Sequence, residues 1–355
     1  MIYSITIVYQ VNSLPQKPLQ SVPTNNVPLT WQQELATAFT QPQQLLHYLE
    51  LDTSVINQLF DINLATDSFS LLVPVSYAQR MQKGNPNDPL FLQVMPSEQE
   101  LKSIPGFSTN PVGDIQALAT PGLLHKYYGR VLLITSGACP IHCRYCFRRE
   151  FPYQQNQISP RQQQQALTYI AQHTEIKEVI LSGGDPLILT NRRLAQLINS
   201  LEAIPHLKRL RIHSRVPVTL PSRIDNGLLQ LLAKTRLQTI LVTHANHANE
   251  LQSADVTDAL NQLVLANVRL LNQSVLLRGV NDDAHTLATL SEALFDAGVT
   301  PYYLHLLDKT SGTSHFEVAD SDAQGIYQTL QGLLPGYQVP KLVREIQGKQ
   351  SKTLQ

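Results

Sequence analysis

The chain has 355 residues, of which 43% are hydrophobic, and its 27 basic residues balance 27 acidic ones. This length and composition suffice for a large buried core, and the zero net charge provides no overall field that would attract nucleic acid or a membrane surface. No apolar run approaches the roughly 20 residues of a membrane span, and the N-terminus lacks the basic start of a signal peptide. We therefore expect a cytoplasmic protein with neither nucleic acid nor a membrane as partner.

The first third of the chain divides into two predicted regions. Residues 1–30 are expected to form an extended arm, because the stretch "VNSLPQKPLQSVPTNNVP" is rich in Pro, Gln, Asn and Ser. Apolar residues then recur at helical spacing in "WQQELATAFTQPQQLLHYLEL" and in "LFLQVMPSEQELKSI". The pattern predicts a helical region over residues 31–125.

Residues 126–335 are predicted to be a core of repeated βα units. Short apolar runs alternate there with amphipathic stretches, a spacing typical of a parallel sheet in a barrel or in an open doubly wound fold. A basic segment, residues 336–355, follows. The six predicted strands are "RVLLIT" (130–135), "EVILS" (178–182), "KRLRIH" (208–213), "QTILVT" (238–243), "VRLLNQSVLL" (268–277) and "YYLHLL" (302–307).

Polar residues follow four of these strands. Because the carboxyl ends of barrel strands meet at one face, which is where such folds build their sites, we expect these residues to share one pocket. They are Ser182, Gly183, Gly184 and Asp185 after the second strand, His213, Ser214 and Arg215 after the third, His244–His247 after the fourth, and Asp308 after the sixth.

All three cysteines, Cys139, Cys143 and Cys146, follow the first strand with the spacing C-x3-C-x2-C. An odd cluster of thiols in a reducing compartment argues against disulfide bonds. Three thiolates on a four-iron cluster leave one iron open to an external ligand, whereas a structural zinc ion would need a fourth ligand such as His142. The spacing favours an iron–sulfur cluster, with zinc as the alternative.

This cysteine motif, with Tyr145 before the last thiol, resembles the radical S-adenosylmethionine superfamily. From about residue 85 to residue 352 the chain further resembles lysine 2,3-aminomutases, in "GNPNDPL", "PGLLHKYYGRVLLIT", "CRYCFRREFPY", "SGGDPL", "RIHSRVPV", "NHANE", "LLNQSVLLRGVND", "PYYLHLLD" and "GYQVPKL". The resemblance implies an α/β fold, a partial (βα)6 TIM-type barrel with an N-terminal helical region and a short C-terminal cofactor-binding tail. It also implies an isomerase that moves an amino group along a carbon chain.

The same resemblance implies three cofactors: a [4Fe–4S] cluster on the three cysteines, S-adenosylmethionine, and pyridoxal 5'-phosphate. For the phosphate it implies Lys126 and Arg130, although Lys126 stands where relatives carry arginine. The residues implied for the S-adenosylmethionine and pyridoxal phosphate pockets are Ser182, Gly183, Gly184, Asp185, His213, Ser214, Arg215, Asn246 and His247.

Pyridoxal phosphate requires a lysine that binds it as a Schiff base. Counting without a gap from Pro340, the family's lysine falls on Lys352. The family precedes it with a run of glycines, of which only Gly348 remains in "QGKQS". Lys349 is therefore the competing candidate.

Three further residues are implied for the substrate. Arg148 takes the position that holds the substrate carboxylate, a task suited to a bidentate guanidinium, whereas Arg149 is expected to pair with an acidic side chain. Asp308 and Glu345 align with the carboxylates that recognise the ε-ammonium group, with Glu345 replacing an aspartate. Two anions at that end of the pocket favour a cationic tail, and hence L-lysine.

The cysteine count bears on the biological role. The longer catabolic relatives carry additional zinc-binding cysteines and a C-terminal extension, whereas this chain has no further cysteine and stops at Gln355. It resembles the short bacterial enzyme that makes (R)-β-lysine from (S)-α-lysine for attachment to elongation factor P by a separate ligase. We expect a homo-oligomer served by an electron donor such as flavodoxin.

Two alternatives stay open. One is a free-standing lysine or arginine 2,3-aminomutase of catabolism or osmolyte synthesis. The other, from a different class, is a non-catalytic iron–sulfur or zinc redox sensor, which would leave Lys352, Arg148 and the pair Asp308 and Glu345 without a purpose.

Overall fold

The computed structural model describes residues 29–52, 66, 68–153 and 159–355. The predicted arm, residues 1–30, lies almost wholly outside the described residues. None of the helices within these ranges combines the length and apolar character needed to cross a membrane.

The described residues contain one sheet of ten strands whose spatial order is their order along the chain. The strands are β1 (Leu118–Thr120), β2 (Leu123–Tyr127), β3 (Arg130–Ser136), β4 (Glu178–Gly183), β5 (Arg209–His213), β6 (Gln238–Thr243), β7 (Arg269–Val275), β8 (Thr300–His305), β9 (Lys341–Arg344) and β10 (Thr353–Leu354). Strands β3 to β9 are parallel, while β1 and β2 extend the sheet antiparallel at one edge and β10 does so at the other.

This strand order decides between the two predicted architectures. A doubly wound sheet reverses its strand order at a switch point, whereas here each crossover places the next strand on the same side as the last. The six predicted strands are confirmed as β3 to β8, and the fold is a partial barrel.

The helices between the parallel strands begin where the sequence provides caps. The helices of the described residues are α1 (Trp31–Ala36), α2 (Pro42–Tyr48), α3 (Val75–Ala78), α4 (Pro89–Leu92), α5 (Pro160–Gln172), α6 (Asn191–Glu202), α7 (Val216–Thr219), α8 (Asn226–Lys234), α9 (Ala254–Leu265), α10 (Ala284–Asp296) and α11 (Asp320–Leu333). Ser159 and Gln162 form a capping box before α5, Thr190 caps α6 and Asp283 caps α10.

The two faces of each barrel strand differ in chemistry. In β5, Leu210 and Ile212 are buried in the main hydrophobic core, which includes side chains of α5, α6, α8 and α9. Arg209, Arg211 and His213 alternate with them and therefore point to the opposite face of the sheet. The interior of this barrel is thus polar at the carboxyl ends of its strands.

The region predicted as helical over 31–125 is only partly so. Pro42 starts a new helix and divides the first stretch into α1 and α2, and Pro96 separates α4 from the 3₁₀ helix Glu98–Leu101. Residues 118–127 are not helical, because they form the antiparallel strands β1 and β2.

The predicted C-terminal tail is docked rather than loose. β9 pairs with β8, and β10 folds back onto β9 with Thr353 opposite Arg344. This hairpin places Lys352 directly before a paired strand.

Candidate active site

The cysteine loop leaves the sheet after β3 and rests on the glycines that follow β4. The backbone N–H groups of Gly184 and Asp185 donate to the carbonyls of Ser136 and Ala138 at 2.7 and 2.8 Å. A Cβ atom on Gly184 would lie 2.3 Å from the Ala138 carbonyl oxygen, so only glycine allows this approach. The "SGGDP" stretch therefore holds the chain that leads into Cys139.

The three thiols are free, and Cys143 lies close enough to Cys139 and Cys146 to contribute to the raised pKa values of both. Burial is the main cause of the raised pKa of Cys139, and it raises the pKa of Cys146 to about 11. No three histidine, cysteine or carboxylate side chains of the described residues are grouped closely enough for a single metal ion. A four-iron cluster binds each thiolate at a separate iron and does not require so tight a group.

Asp185 and Ser214 are engaged with each other rather than open to a ligand. The Asp185 carboxylate accepts hydrogen bonds from Ser214 Oγ at 2.8 Å and from the backbone N–H groups of Leu187 and Arg215. Burial raises the pKa of Asp185 to about 6. These two residues tie the loop after β4 to the loop after β5.

Asn246 and His247 likewise make contacts within the protein. Asn246 is fully buried, where its amide donates to Gln93 Oε1 and accepts from the Val275 N–H. His247 caps the 3₁₀ helix Ala248–Leu251 through its Nδ1. Both residues shape the loop after β6.

Three histidines, His213, His244 and His305, lie at the ends of β5, β6 and β8; His305 is buried, and the other two are partly buried. Burial lowers the pKa of each, to about 3 for His244, so all three imidazoles are neutral at physiological pH. The Lys352 ammonium is close enough to add to this effect at His213 and His305. His213 Nε2 is buried without a partner among the described residues.

Lys352 enters this histidine cluster from the C-terminal hairpin. Its Nζ forms an ion pair with Glu345 Oε2 at 2.8 Å and lies 5.9 Å from the centre of the Tyr303 ring. Lys349 is exposed at the turn of the same hairpin. The structure thus brings Lys352, and not Lys349, to the inner side of the barrel.

Lys126 is occupied by three acceptors. Its Nζ contacts Asp114 Oδ1 at 2.6 Å, the Val112 carbonyl at 2.7 Å and Glu345 Oε1 at 3.4 Å. Arg130, by contrast, lies over the Tyr127 ring at 4.6 Å and forms no ion pair within the ranges that the structure describes. Of the two predicted phosphate ligands, Arg130 is therefore the available cation.

Arg148 is held by an acidic residue that the sequence reading did not single out. Its Nε donates to Asp114 Oδ2 at 2.7 Å and its Nη1 to Ser182 Oγ at 3.1 Å. Both Arg148 and Asp114 are buried. Arg148 Nη2 donates no hydrogen bond to any residue in the described part of the chain. One edge of the guanidinium therefore stays open.

Asp308 is the counterpart of Arg148 with opposite charge. Its carboxylate forms neither a side-chain hydrogen bond nor an ion pair with any residue that the structure describes. Burial raises its pKa to about 7, although the Lys352 ammonium opposes the shift. An unpaired carboxylate in such a position can accept a cation at little cost, because it has no protein partner to give up.

Comparisons with known proteins accord with this geometry. Residues 133–290 match the radical SAM superfamily. The chain is 51% identical over 341 residues to the L-lysine 2,3-aminomutase of Haemophilus influenzae, covering 96% of this chain and 98% of the relative. It is also 51% identical to the enzyme of that name from Escherichia coli, covering 91% and 93%. The chain belongs to the lysine 2,3-aminomutase family.

Family membership identifies the protein as an isomerase. The family's cofactors are a [4Fe–4S] cluster and S-adenosylmethionine, together with pyridoxal 5'-phosphate. The enzyme from Clostridium subterminale is a more distant relative, 37% identical over 287 residues, which are 81% of this chain and 68% of that one.

The residues present fit these groups. Three thiols stand on one loop, and two buried nitrogens, Arg215 Nε and His213 Nε2, lack partners among the described residues. Such orphaned donors or acceptors are costly unless a ligand satisfies them. Lys352 supplies an amine near His213, and Arg130 supplies a cation.

Two acidic residues on the segment of residues 93–114, here named the anchoring segment, were missed by sequence reasoning. Glu100 pairs with Arg144 and with Arg149 at 2.5 and 2.9 Å, and Asp114 pairs with Arg148. The expectation that Arg149 pairs with an acid is confirmed. One signal in the sequence could have pointed to these acids. The stretch "CRYCFRR" contains three arginines, and buried arginines need acidic counter-ions.

Proposed function

We propose that this enzyme is a pyridoxal phosphate-dependent lysine 2,3-aminomutase that converts (S)-α-lysine to (R)-β-lysine. The observation that carries the proposal is the unpaired Asp308 carboxylate in the mouth of the barrel that also holds Arg148. A substrate with a carboxylate at one end and an ammonium at the other would meet a complementary charge at both ends.

The three cofactors would supply the difficult chemistry. When bound, the cluster and S-adenosylmethionine supply a radical that removes hydrogen from the substrate, and pyridoxal phosphate supplies the carbonyl carbon that carries the migrating nitrogen. We assign the cluster to Cys139, Cys143 and Cys146, and the covalent link with pyridoxal phosphate to Lys352. Arg130 would hold the phosphate.

Lys126 would contribute to this site mainly by fixing its neighbours. It lies between Asp114 and Glu345, so it connects the residue that holds Arg148 with the residue that pairs with Lys352. Asp114 leaves Arg148 one open guanidinium edge for the substrate carboxylate. We therefore add Asp114 to the site as a positioning residue.

Glu345 would become available when Lys352 binds its cofactor. In the structure Glu345 Oε1 accepts from Tyr127 at 2.5 Å, while Oε2 is taken by the Lys352 ammonium. Whenever Lys352 is present as an imine nitrogen or a neutral amine, and not as an ammonium, Oε2 would be free to accept the ε-ammonium of lysine beside Asp308. The two carboxylates then act on the same group.

Within this proposal residues 126–335 form the catalytic core and residues 336–355 the cofactor-lysine segment. Ser182, Gly183, Gly184, Asp185, His213, Ser214, Arg215, Asn246 and His247 would line the cofactor pockets. For Asp185, Ser214, Asn246 and His247 the contacts within the protein support an indirect role, in which they shape the loops around the cofactors.

The biological role we propose is the supply of (R)-β-lysine in the cytoplasm for attachment to elongation factor P by a separate ligase. Near-complete coverage of short relatives at 51% identity supports it. A homo-oligomer reduced by a donor such as flavodoxin would complete the system.

The test is anaerobic reconstitution with iron, sulfide, S-adenosylmethionine, pyridoxal phosphate and a reductant, followed by incubation with labelled L-lysine. We expect labelled β-lysine, and its transfer to elongation factor P when the ligase and factor are added. Labelled β-lysine without transfer would favour a free-standing aminomutase, and faster turnover of arginine would change the substrate. Zinc as the tightly bound metal, with no β-amino acid formed, would overturn the proposal.

A further inference from the structure

Arg215 contacts the cysteine loop directly. Its Nη1 donates to Cys143 Sγ at 2.7 Å, and Cys143 is the middle residue of the three-cysteine motif. The guanidinium is buried, so this contact is protected from competing water. Arg215 follows β5, whereas Cys143 follows β3, and the contact therefore joins two loops of the barrel.

The other side of the guanidinium is fixed by a second set of contacts. Nη2 donates to Gln93 Oε1 at 2.7 Å, to Glu250 Oε2 at 2.8 Å and to the Tyr77 hydroxyl at 3.2 Å. The rings of Tyr77 and Tyr145 lie 5.4 and 5.7 Å from its central carbon. Arg215 thus has little freedom to leave the sulfur.

Glu250, the counter-ion, is itself immobilised. It is fully buried, and its Oε1 accepts from the backbone N–H groups of Asn246 and His247 and from Gln93 Nε2. Its remaining oxygen faces Arg215. Both oxygens of the Glu250 carboxylate are thus held in place, so Glu250 fixes the position of the arginine as well as balancing its charge.

From this geometry we infer that Arg215 is a positioning residue that tunes the iron–sulfur cluster through the Cys143 sulfur. A reduced cluster carries one more negative charge than the oxidised form, so a fixed positive donor on a ligating sulfur stabilises the reduced form. Arg215 therefore raises the reduction potential of the cluster. The inference rests on membership in the radical SAM superfamily and does not require lysine to be the substrate.

The test is a potentiometric titration of the reconstituted cluster, followed by electron paramagnetic resonance, without S-adenosylmethionine or lysine. Arg215→Lys retains the charge but loses the forked geometry. At the wild-type midpoint potential we expect its ratio of reduced to oxidised cluster to fall about tenfold, equivalent to about 59 mV for a one-electron couple. Tyr77→Phe, which removes one contact to Nη2, should shift the potential in the same direction by less.

Arg223→Lys is the matched control. Arg223 is also fully buried and paired with an acid, Asp225, but its hydrogen bonds go to the Leu187 and Leu189 carbonyls and to Asn191, with no thiol among its contacts. The midpoint potential of the cluster in Arg223→Lys should equal that of the wild-type cluster. Iron and sulfide content is measured for every variant.

Each outcome decides the inference. A downward shift in Arg215→Lys that Arg223→Lys does not share supports it. An unchanged potential in Arg215→Lys at full cluster content, or an equal shift in Arg223→Lys, overturns it. If Arg215→Lys binds no cluster, Tyr77→Phe decides in the same way. Because no substrate is present, a failure of lysine turnover would leave this result unaffected.

Discussion

The barrel strands and the anchoring segment serve one site but are built on different principles. Alternation along the strand and the register between strands fix the positions of the polar residues at the ends of β4, β5, β6 and β8. The position of each of these side chains therefore follows from the strand that it ends. The anchoring segment delivers Glu100 and Asp114 from a 3₁₀ helix and a turn, where no period applies. The strands therefore determine where the candidate site lies, whereas the buried acids Glu100 and Asp114 determine the orientation of the arginines next to it.

The largest effect is expected at the hairpin of β9 and β10, which docks on the barrel strand β8 and brings Lys352 to the site. Lys352→Ala should remove the amine to which we assign the link with pyridoxal phosphate, and activity should fall below about a thousandth of wild type. Retention of the cofactor after gel filtration, read from its visible absorbance, measures the loss. Lys349→Ala is the control and should bind the cofactor normally, so a loss in that variant instead would transfer the assignment to Lys349.

The next effect concerns the anchoring segment. Glu100→Gln leaves the buried cations of Arg144 and Arg149 without their shared counter-ion, and breaking such a buried pair costs about 3–5 kcal/mol. The free energy of unfolding and the iron content after reconstitution should both fall. Glu50→Gln, which removes the exposed pair with Lys83, should change neither. Equal behaviour of the two variants would show that Glu100 does not anchor the cysteine loop.

The smallest effect is expected for Asp308, which follows the barrel strand β8. Because burial raises the pKa of Asp308 to about 7, this carboxyl is uncharged at lower pH and becomes anionic as the pH rises. The affinity of the holoenzyme for lysine should therefore increase, by up to roughly tenfold, between pH 6 and pH 8. The neutral histidines His213, His244 and His305 do not titrate in this range. Calorimetry with Asp308→Asn should show weaker binding with no such pH dependence, and a retained dependence would assign it to another group.

The sequence predicted the parallel part of the fold well. Each of β3 to β8 is a run of apolar or alternating residues between two amphipathic helices, and periodicity alone identifies such units. β1, β2, β9 and β10 were missed because they are short and form by antiparallel pairing or by docking at an edge. Nothing in "GKQSKTLQ" indicates that Thr353 pairs with Arg344.

The site was predictable only in part, for a physical reason. Strand ends and cysteine spacing pointed to the face formed by the carboxyl ends of the strands, and family resemblance pointed to Lys352 and Arg148. The partners of these residues are set by contacts between distant segments, such as Asp114 with Arg148 or Gln93 with Arg215. A single acid in an irregular segment leaves no pattern in the sequence, so it appears only when the chain is folded.

The most direct test of the proposal that Asp114 orients Arg148 for the substrate is a double-mutant cycle on these two residues. The measured quantity is the affinity of the holoenzyme for lysine relative to lysinamide, which lacks the carboxylate. Wild type should prefer lysine, Asp114→Asn should lose about tenfold of that preference, and Arg148→Met should abolish it. Adding Asp114→Asn to Arg148→Met should then change nothing further. An unchanged preference in Asp114→Asn, or independent and additive effects of the two substitutions, would contradict the claim that the anchoring segment orients the arginine that binds the substrate.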